Sequence, residues 1–297
     1  GAMNLESNRV AAFSEDDLDF LQTIATQAGV LMERYKIDQH VNMQSGLSED
    51  MAKAESIQKS LLPKEIPEHP EVIFDFKYIP CRQISGDFYD LSIRAEDVFS
   101  VGIGDVVGKG ISGALIMSNF YAAYLNETQK GYPLATVMSN LNKYLTNETE
   151  LDSQITFFIS KMDVDAGVIR YVNAGHPTPL ILHEDGSIER MEVGGPLLGF
   201  DPNFSYEMGE IRLQSGDLFL LYTDGVTEII GKAGQLFDES GLITAVQALR
   251  EKDVREITTR LLAKLETFNR KLSFEDDVTF IVGRYIGIPA EVSDNAV

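Results

Sequence analysis

Apolar residues recur at helical spacing near the start of the chain. Ser14 followed by Asp17 is typical of a helix N-cap, with an acid three residues after a hydroxyl. The apolar stripe that follows, in steps of three and four, comprises Leu18, Leu21, Ala25, Ala28, Met32 and Tyr35, widened by Phe20, Ile24 and Leu31. This pattern predicts a long amphipathic helix within residues 4–41, with an apolar face broader than a coiled-coil seam.

A second helix is predicted within residues 42–63, after a weak break at Gly46. Its heptad positions are Leu47, Met51, Ala54, Gln58 and Leu61. A polar residue such as Gln58 on a coiled-coil seam can set the register of two helices. A run this short also fits a single helix docked on the following domain. Pro63 ends the helix, because the residue before a proline disfavours helical dihedral angles.

From residue 64 to residue 286, strand patterns alternate with helical ones. The predicted strands are Val72–Ile79, Val98–Gly104, Ile155–Met162, Val168–Asn173, Leu180–His183, Ser187–Val193, Tyr206–Leu213, Asp217–Tyr222 and Val278–Tyr285. The predicted helices are Gly113–Thr128, Leu134–Thr146, Leu242–Leu249 and Val254–Phe268. Adjacent strands joined by hairpins, as at Asp185-Gly186, indicate mainly antiparallel sheets with the helix pairs packed outside them. Residues 287–297 are expected to form a mobile tail.

Composition narrows the possible classes of protein. The chain has 297 residues, 44% of them hydrophobic, which suffices for one large domain with a core and a smaller segment. No apolar run approaches the ~18 residues of a membrane span, so we expect no membrane insertion. Residues 1–3 (Gly-Ala-Met) are interpreted as the remnant of an expression tag and are excluded from the fold argument.

Net charge and cysteine content further narrow the possible classes of protein. The 25 basic and 46 acidic residues give a net charge of −21, which repels nucleic-acid phosphates and anionic membranes, so we expect no nucleic-acid partner. The single cysteine, Cys81, excludes an internal disulfide and indicates a cytoplasmic protein. Because no glycine-rich phosphate loop follows Cys81, we interpret it as a structural residue rather than a nucleophile.

Acidic residues stand at strand ends and in turns, beside glycines or other acids. They are Asp87, Asp105, Asp224 and the pair Asp276–Asp277. Carboxylates at such positions project from rigid elements into the space where ligands bind, although any one of them could simply cap a strand or a helix. Several carboxylates in one site would repel one another unless a cation neutralised them. Oxygen ligands favour Mg²⁺ or Mn²⁺, and two such ions could activate a water for attack on phosphorus.

Six short motifs resemble, in order, those of the SpoIIE/RsbU-type branch of the PPM serine/threonine phosphatases. They are Ser85–Asp90, Asp105–Gly110, Asn173–Pro177, Gly195–Gly199, Tyr222–Glu228 and Asp276–Thr279. The resemblance covers residues 50–285, and its first part is similar to the regulatory helix that precedes these phosphatase domains. It implies an α+β fold, an αββα sandwich of two antiparallel sheets flanked by helix pairs, behind a long helical or coiled-coil linker.

The resemblance also implies a site that binds two Mn²⁺ or Mg²⁺ ions. Asp105 would bridge the two ions. Asp224 and Asp276 would bind the first ion, and these three aspartates would be the catalytic residues. The backbone carbonyl of Val106 would bind the second ion.

Other positions of the resemblance leave alternatives open. Asp87 would complete the site directly or through water, and Asp277 could be a ligand in place of its neighbour. Some members of the family carry a histidine where this chain has Val107, so the general acid is not assigned. His176 belongs to another motif and is expected to hold its own loop. Lys109 could bind the substrate phosphate.

The implied function is that of a phosphoserine/phosphothreonine protein phosphatase. Its implied substrate is a phosphorylated STAS-type antagonist of an anti-sigma factor, in a partner-switching pathway. Residues 4–41 resemble the last helix of a GAF-type sensor domain, and a homodimer through the N-terminal helices would carry its signal. One alternative is a non-catalytic or conditionally inactive regulatory module of the same fold. Another is a different two-metal hydrolase, acting on a nucleotide or a phosphodiester.

Overall fold

The computed structural model of the chain describes residues 48–95, 98–148 and 153–287, with scattered positions between residues 6 and 32. None of the helices in these ranges has the length and apolarity needed to cross a membrane.

The contacts divide the chain into two compact units, Gly1–Ala54 and Glu55–Val297. In the first unit, the described positions from 15 to 32 are helical. The expected cap is present, since Asp17 N–H donates to Ser14 Oγ at 3.2 Å and Ser14 N–H donates to Asp17 Oδ2 at 2.8 Å. Most of the expected apolar stripe lies outside the described residues.

The second unit contains two sheets and their helices. The strands are β1 (Val72–Ile79), β2 (Phe88–Ala95), β3 (Val98–Val106), β4 (Ile155–Asp163), β5 (Val168–Ala174), β6 (Leu180–Leu182), β7 (Ile188–Arg190), β8 (Gly194–Gly195), β9 (Gly209–Arg212), β10 (Leu218–Tyr222) and β11 (Val278–Tyr285). The helices are α1 (residues 48–61, which begins in the first unit), α2 (Ile111–Gln129), α3 (Leu134–Glu148), α4 (Asp224–Thr227), α5 (Asp238–Gln247) and α6 (Val254–Phe268).

The strands form the expected αββα sandwich. One sheet has the order β1-β11-β10-β6-β7, and the other has the order β2-β3-β4-β5-β8 with β9 also paired to β5. The pairings between the described strands are antiparallel, except for β5 with β8. Helices α2 and α3 pack on the second sheet, and α6, with α5 beside it, packs on the first. The predicted fold class is therefore confirmed.

Alternate residues of β10 point to two separate hydrophobic cores, as the two-residue period of a strand requires. Phe219 and Leu221 lie between the two sheets, whereas Leu220 packs toward α5 and α6. Between the sheets, the ring of Phe74 lies 5.5 Å from that of Phe99 on the opposite sheet. Burial on both faces explains why this strand is a continuous apolar run.

Strand β2 was not predicted, because Asp90 interrupts its apolar pattern and aspartate is depleted in strands. The fold accommodates Asp90 by burying it beside two tyrosines, and the hydroxyl of Tyr124 donates to its Oδ2 at 2.8 Å. Several other predicted boundaries differ from those in the structure, including the start of α5, which is Asp238 rather than Leu242. Strand β3 continues through Asp105 to Val106, while β7 and β9 are shorter than their predicted runs.

Gln58 does not serve as a seam residue within the second unit. It is buried, its Nε2 donates to the carbonyl of Ser85 at 2.8 Å, and its Oε1 accepts from the N–H of Ser85 at 3.0 Å. Leu62, which follows α1, is also buried. The C-terminal half of α1 is thus docked on the domain that follows it, which was the alternative to a coiled coil there.

Candidate metal centre

Four separate chain segments bring the predicted aspartates to one end of the sandwich. The antiparallel pair β2–β3 sets Phe88 opposite Gly104, so that Asp87 lies beside the end of β3 where Asp105 stands. In the other sheet, Thr223 N–H donates to the carbonyl of Thr279 at 3.0 Å, which holds the end of β10 against the start of β11. Asp224 and the pair Asp276–Asp277 flank this contact.

Gly86 permits the closest approach between these segments. A Cβ atom at this position would lie 3.2 Å from Asp105 Oδ1 and 3.2 Å from the carbonyl oxygen of Val106. Both atoms belong to the predicted ligand set. The glycine therefore lets the loop before β2 pack directly on the end of β3 without covering either oxygen with a side chain.

Asp87 is 1% exposed and is held by hydroxyl groups from the other sheet. Its Oδ2 accepts hydrogen bonds from Thr223 Oγ1, at 2.9 Å, and from Thr279 Oγ1. Burial, followed by the nearby charge of Asp105, raises the pKa of Asp87 well above its usual range, although both threonine hydroxyls lower it. Asp87 is thus an internal carboxyl group behind Asp105.

Asp105 lies at the centre of the acidic cluster. Burial first, and then the charge of Asp224, raise the pKa of Asp105 to about 7, against a hydrogen bond with Asp87 that lowers it. The pKa of Asp224 is also raised, by burial first and then by Glu228 and Asp276. These carboxylates destabilise one another when ionised, and a divalent cation would relieve that repulsion.

Asp277 uses both carboxylate oxygens to hold the loop before β2. Its Oδ1 accepts from Cys81 N–H at 2.7 Å, and its Oδ2 accepts from Ser85 Oγ at 2.6 Å and Gly86 N–H at 3.0 Å. Because Ser85 is also the residue held by Gln58, α1 and Asp277 secure the same loop from two sides.

Asp276 has a different set of contacts from its neighbour. Its Oδ1 accepts the N–H of Asp277 at 3.0 Å, and its Oδ2 forms an ion pair with Lys109 Nζ at 2.6 Å. The hydrogen bond to Asp276 raises the pKa of Lys109, against partial desolvation. Lys109, the predicted phosphate-binding residue, therefore lies at the site, where it forms an ion pair with a carboxylate of the predicted ligand set.

Cys81 lies at the edge of the same cluster, a position that the sequence did not indicate. Among the described residues, its sulfur and carboxylate oxygens of Asp276 and Asp277 form a group lying within 4.8 Å of one another. Asp87, Asp105 and Asp224 do not form such a compact group. Burial, followed by a hydrogen bond with Asp277, raises the pKa of Cys81 to about 12, so the thiol is neutral.

His176 is buried away from solvent, as its predicted structural role requires. Asn173 holds its backbone, because Asn173 Oδ1 accepts from His176 N–H at 2.8 Å and Asn173 Nδ2 donates to His176 O at 3.1 Å. The ring Nδ1 lies 3.0 Å from Thr156 Oγ1. Burial lowers the pKa of His176 to about 3, so the imidazole is neutral near pH 7.

The donor set fits a divalent cation of the Mg²⁺ or Mn²⁺ type. Carboxylate and backbone carbonyl oxygens predominate, and the charges of neighbouring acids add to burial in raising the pKa values of Asp105 and Asp224. A sequence profile described as Stage II sporulation protein E (SpoIIE) matches residues 95–285, which contain three of the four acidic segments. The chain belongs to the SpoIIE family.

Relatives of this SpoIIE family member include a phosphoserine phosphatase and a solved domain of the same fold. "Phosphoserine phosphatase RsbU" of Bacillus subtilis is 27% identical over 275 residues, covering 90% of this chain and 78% of RsbU. The solved SiaA-PP2C domain of Pseudomonas aeruginosa superposes with a TM-score of 0.72 at 19% identity, covering 82% of this chain and 98% of that domain. By family, the chain is a metal-dependent serine/threonine phosphatase.

A second solved structure of the same fold contains metal ions. The catalytic domain of the serine threonine protein phosphatase PstP, solved in complex with two manganese ions, superposes with a TM-score of 0.52 at 15% identity. The alignment covers 73% of this chain and 99% of that domain. This likeness concerns the fold, and the ions belong to PstP.

Proposed function

We propose that this chain hydrolyses phosphoserine or phosphothreonine in a protein substrate, at a site that binds two Mn²⁺ or Mg²⁺ ions. The observation that carries this proposal is the convergence of aspartates from four chain segments around Asp105, whose pKa is raised to about 7. Repulsion among these acids destabilises the fold, so a structural role alone does not explain why they lie together. Binding of a cation does explain it.

The proposed roles are those that the resemblance to the PPM phosphatases implies. Asp105 would hold both ions, Asp224 and Asp276 would hold the first, and the carbonyl of Val106 would hold the second. Asp87 positions Asp105, because its contacts with Asp105, Thr223 and Thr279 fix the carboxylate of Asp105. When bound, the ions supply a water of lowered pKa for in-line attack and neutralise charge on the phosphoryl group.

Protonation of the leaving serine oxygen is assigned to solvent. Val107 cannot donate a proton, and it is exposed. The neutral imidazole of His176 is buried and contacts Thr156, so it does not face the reacting oxygen as a protonated acid. The site therefore opens to water at the position where some relatives place a histidine.

A direct test measures phosphate release from a phosphoserine protein in Mn²⁺ or Mg²⁺ and in excess chelator. Asp105→Asn should lower kcat at saturating Mn²⁺ by roughly 100-fold or more, because the bridging charge is lost. The exposed Asp165 offers a matched control, and Asp165→Asn should retain wild-type activity. Wild-type activity in Asp105→Asn would contradict the two-metal site, and hydrolysis of a phosphodiester but not a phosphoprotein would favour the other hydrolase class.

The proposed substrate is a phosphorylated STAS-type antagonist of an anti-sigma factor. Similarity to the phosphoserine phosphatase RsbU supports this choice. The test compares kcat/KM for the folded phosphorylated STAS protein with that for a phosphopeptide of the same sequence. A preference for the folded protein supports recognition of the STAS domain, and equal values would contradict it.

The proposed regulation runs through α1, from a GAF-like segment within residues 4–41. The two hydrogen bonds between Gln58 and Ser85 support this route, because Ser85 and Gly86 lie in the loop beside Asp105. A displacement of α1 would therefore disturb the segment that Asp277 holds.

We place the protein in the cytoplasm, where such antagonists act.

A further inference from the structure

Lys109 and Asp276 form an ion pair across the candidate metal centre. Lys109 Nζ lies 2.6 Å from Asp276 Oδ2, and the two residues are 167 positions apart in the sequence. The side chains are 51% and 35% exposed, respectively, so the pair lies at the mouth of the site rather than in its interior. Among the described residues, no other lysine or arginine forms an ion pair with the five site aspartates.

The backbone around Lys109 brings its ammonium group to this position. Gly108 and Gly110 have φ angles of 130° and 78°, in the region that favours glycine, so Lys109 stands between two backbone positions that other residues rarely adopt. A Cβ atom on Gly113 would lie 2.6 Å from the carbonyl oxygen of Gly108, which shows that the loop packs closely on the first turn of α2. The loop that carries Lys109 is thus closely packed, while the lysine side chain is 51% exposed.

Both carboxylate oxygens of Asp276 already have partners. Oδ1 accepts the N–H of Asp277 at 3.0 Å, and Oδ2 is paired with the ammonium of Lys109. A divalent ion that binds Oδ2 would place a second positive charge at the atom that the ammonium contacts. The two cations would repel each other there, so binding of the ion favours departure of the ammonium.

We propose that Lys109 is an internal competitor of the divalent ion, occupying Asp276 in the metal-free protein and leaving it when the ion binds. The inference rests on the proposed function for the identity of Asp276 as a ligand. The displaced ammonium has room beside the site, in a cavity of about 220 Å³ lined by residues that include Lys109, Glu228, Phe274 and Asp276. Lys109 is therefore a positioning residue that sets how tightly the site holds its metal.

The test measures Mn²⁺ binding to the full chain by isothermal titration calorimetry and by the electron paramagnetic resonance signal of free Mn²⁺. Lys109→Gln removes the charge and keeps much of the side-chain length. It should bind Mn²⁺ about threefold to tenfold more tightly than the wild type, because the ion no longer displaces a cation. Lys109→Arg should restore wild-type affinity or weaken binding.

A second measurement separates competition from a structural effect. Without metal, Lys109→Gln should melt at a lower temperature than the wild type, because the acidic cluster loses its cation. On addition of Mn²⁺, the melting temperature of Lys109→Gln should rise by more than that of the wild type. Lys252→Gln is the matched control, because the exposed Lys252, which precedes α6, pairs with Glu256 in the first turn of that helix. It should change neither quantity.

Each outcome has a separate meaning for the two proposals. Equal or weaker Mn²⁺ binding by Lys109→Gln, with Asp276→Asn still impaired, would overturn the role of Lys109 and leave the metal site intact. If neither the wild type nor Lys109→Gln binds Mn²⁺, both proposals are wrong. Tighter binding by Lys109→Gln but not by Lys252→Gln supports the competition.

Discussion

At the scale of single residues, the site combines buried acids with a few groups that hold them. Asp105 and Asp224 have raised pKa values because of burial and the charges of neighbouring acids, whereas Asp277 accepts hydrogen bonds from three donors. Two aspartates that are adjacent in the sequence can therefore have different roles in the site. The adjacent residues Asp276 and Asp277 differ because one faces Lys109 and the other faces backbone N–H groups.

The first prediction concerns Asp105 and the stability of the metal-free protein. Its pKa is about 7 in the fold against an ordinary value of 3.8, so the folded state retains a proton that the unfolded chain releases between about pH 4 and pH 7. The stability from this group is thus complete below about pH 4 and declines as the pH rises to 7. Asp105→Asn stays neutral, and above pH 7 it should be more stable than the wild type by about 1–3 kcal/mol.

Urea unfolding in chelator at pH 5 and pH 8 checks the sign of this difference in stability between Asp105→Asn and the wild type. The advantage of Asp105→Asn should be small at pH 5 and larger at pH 8, while Asp165→Asn should show no such trend. A variant less stable than the wild type at pH 8 would mean that the ionised carboxylate is stabilised in the fold.

The second prediction separates the neighbours Asp276 and Asp277. Asp277→Asn replaces one acceptor by an N–H₂ group facing other donors, so it should lower the free energy of unfolding by about 1–3 kcal/mol. Asp276→Asn should change stability little but weaken Mn²⁺ binding. Thermal melting and calorimetric titration of both variants provide the comparison, and the reverse pattern would make Asp277 the metal ligand.

At the scale of elements, the position of the loop before β2 depends on α1. Gln58 satisfies both backbone groups of Ser85, and Tyr89 on β2 donates its hydroxyl to the carbonyl of Pro63 at 3.0 Å. The end of this helix is therefore part of the phosphatase domain. A helix that merely linked two domains would not need a buried glutamine.

The third prediction tests this connection with Gln58→Leu. The change leaves the N–H and C=O of Ser85 without their partner, so we expect a loss of about 2–4 kcal/mol in unfolding free energy and faster hydrogen exchange at residues 81–87. Gln247→Leu, at the exposed end of α5, is the matched control and should stay within about 0.5 kcal/mol of the wild type. Unchanged exchange at Ser85 would show that α1 does not hold the loop.

The elements that the sequence predicted best are those with an uninterrupted pattern. The bounds of β1, β11 and α6 were predicted to the residue, because strand alternation, burial on both faces and helical periodicity continue along their whole length. Strand β2 was missed because the reason for its buried Asp90 lies in α2, far along the chain. The periodicity of a segment does not include partners that only the tertiary fold supplies.

The same limit applies to the candidate site. The motifs identified the acidic segments, but the pairing of Lys109 with Asp276 joins loops from two different sheets. The contact between Gln58 and Ser85 likewise depends on how α1 docks, whereas the heptad pattern indicated only an apolar face. Local patterns name the chemical groups, and packing decides which of them meet.

At the scale of the whole molecule, the charge of −21 bears on assembly through the N-terminal helices. Two copies of the chain repel each other over long distances, and salt screens this repulsion. We predict a homodimer, with a mass of roughly twice 32.9 kDa in light scattering. Its dissociation constant should fall when NaCl rises from about 0.05 M to about 0.5 M. A monomer at high micromolar concentration in both salts would contradict this prediction.

Cys81 gives the molecule a built-in chemical reporter. It is the only cysteine in the sequence, it borders Asp276 and Asp277, and its pKa is raised to about 12 by burial and by contact with Asp277. A thiol in that state alkylates slowly, because the thiolate is the reactive form. A cation that neutralises the neighbouring carboxylates would favour the thiolate, so the rate of labelling by iodoacetamide at pH 8 should rise when Mg²⁺ is added. The unmodified chain would then report metal occupancy through a single covalent mark, without a substrate and without turnover.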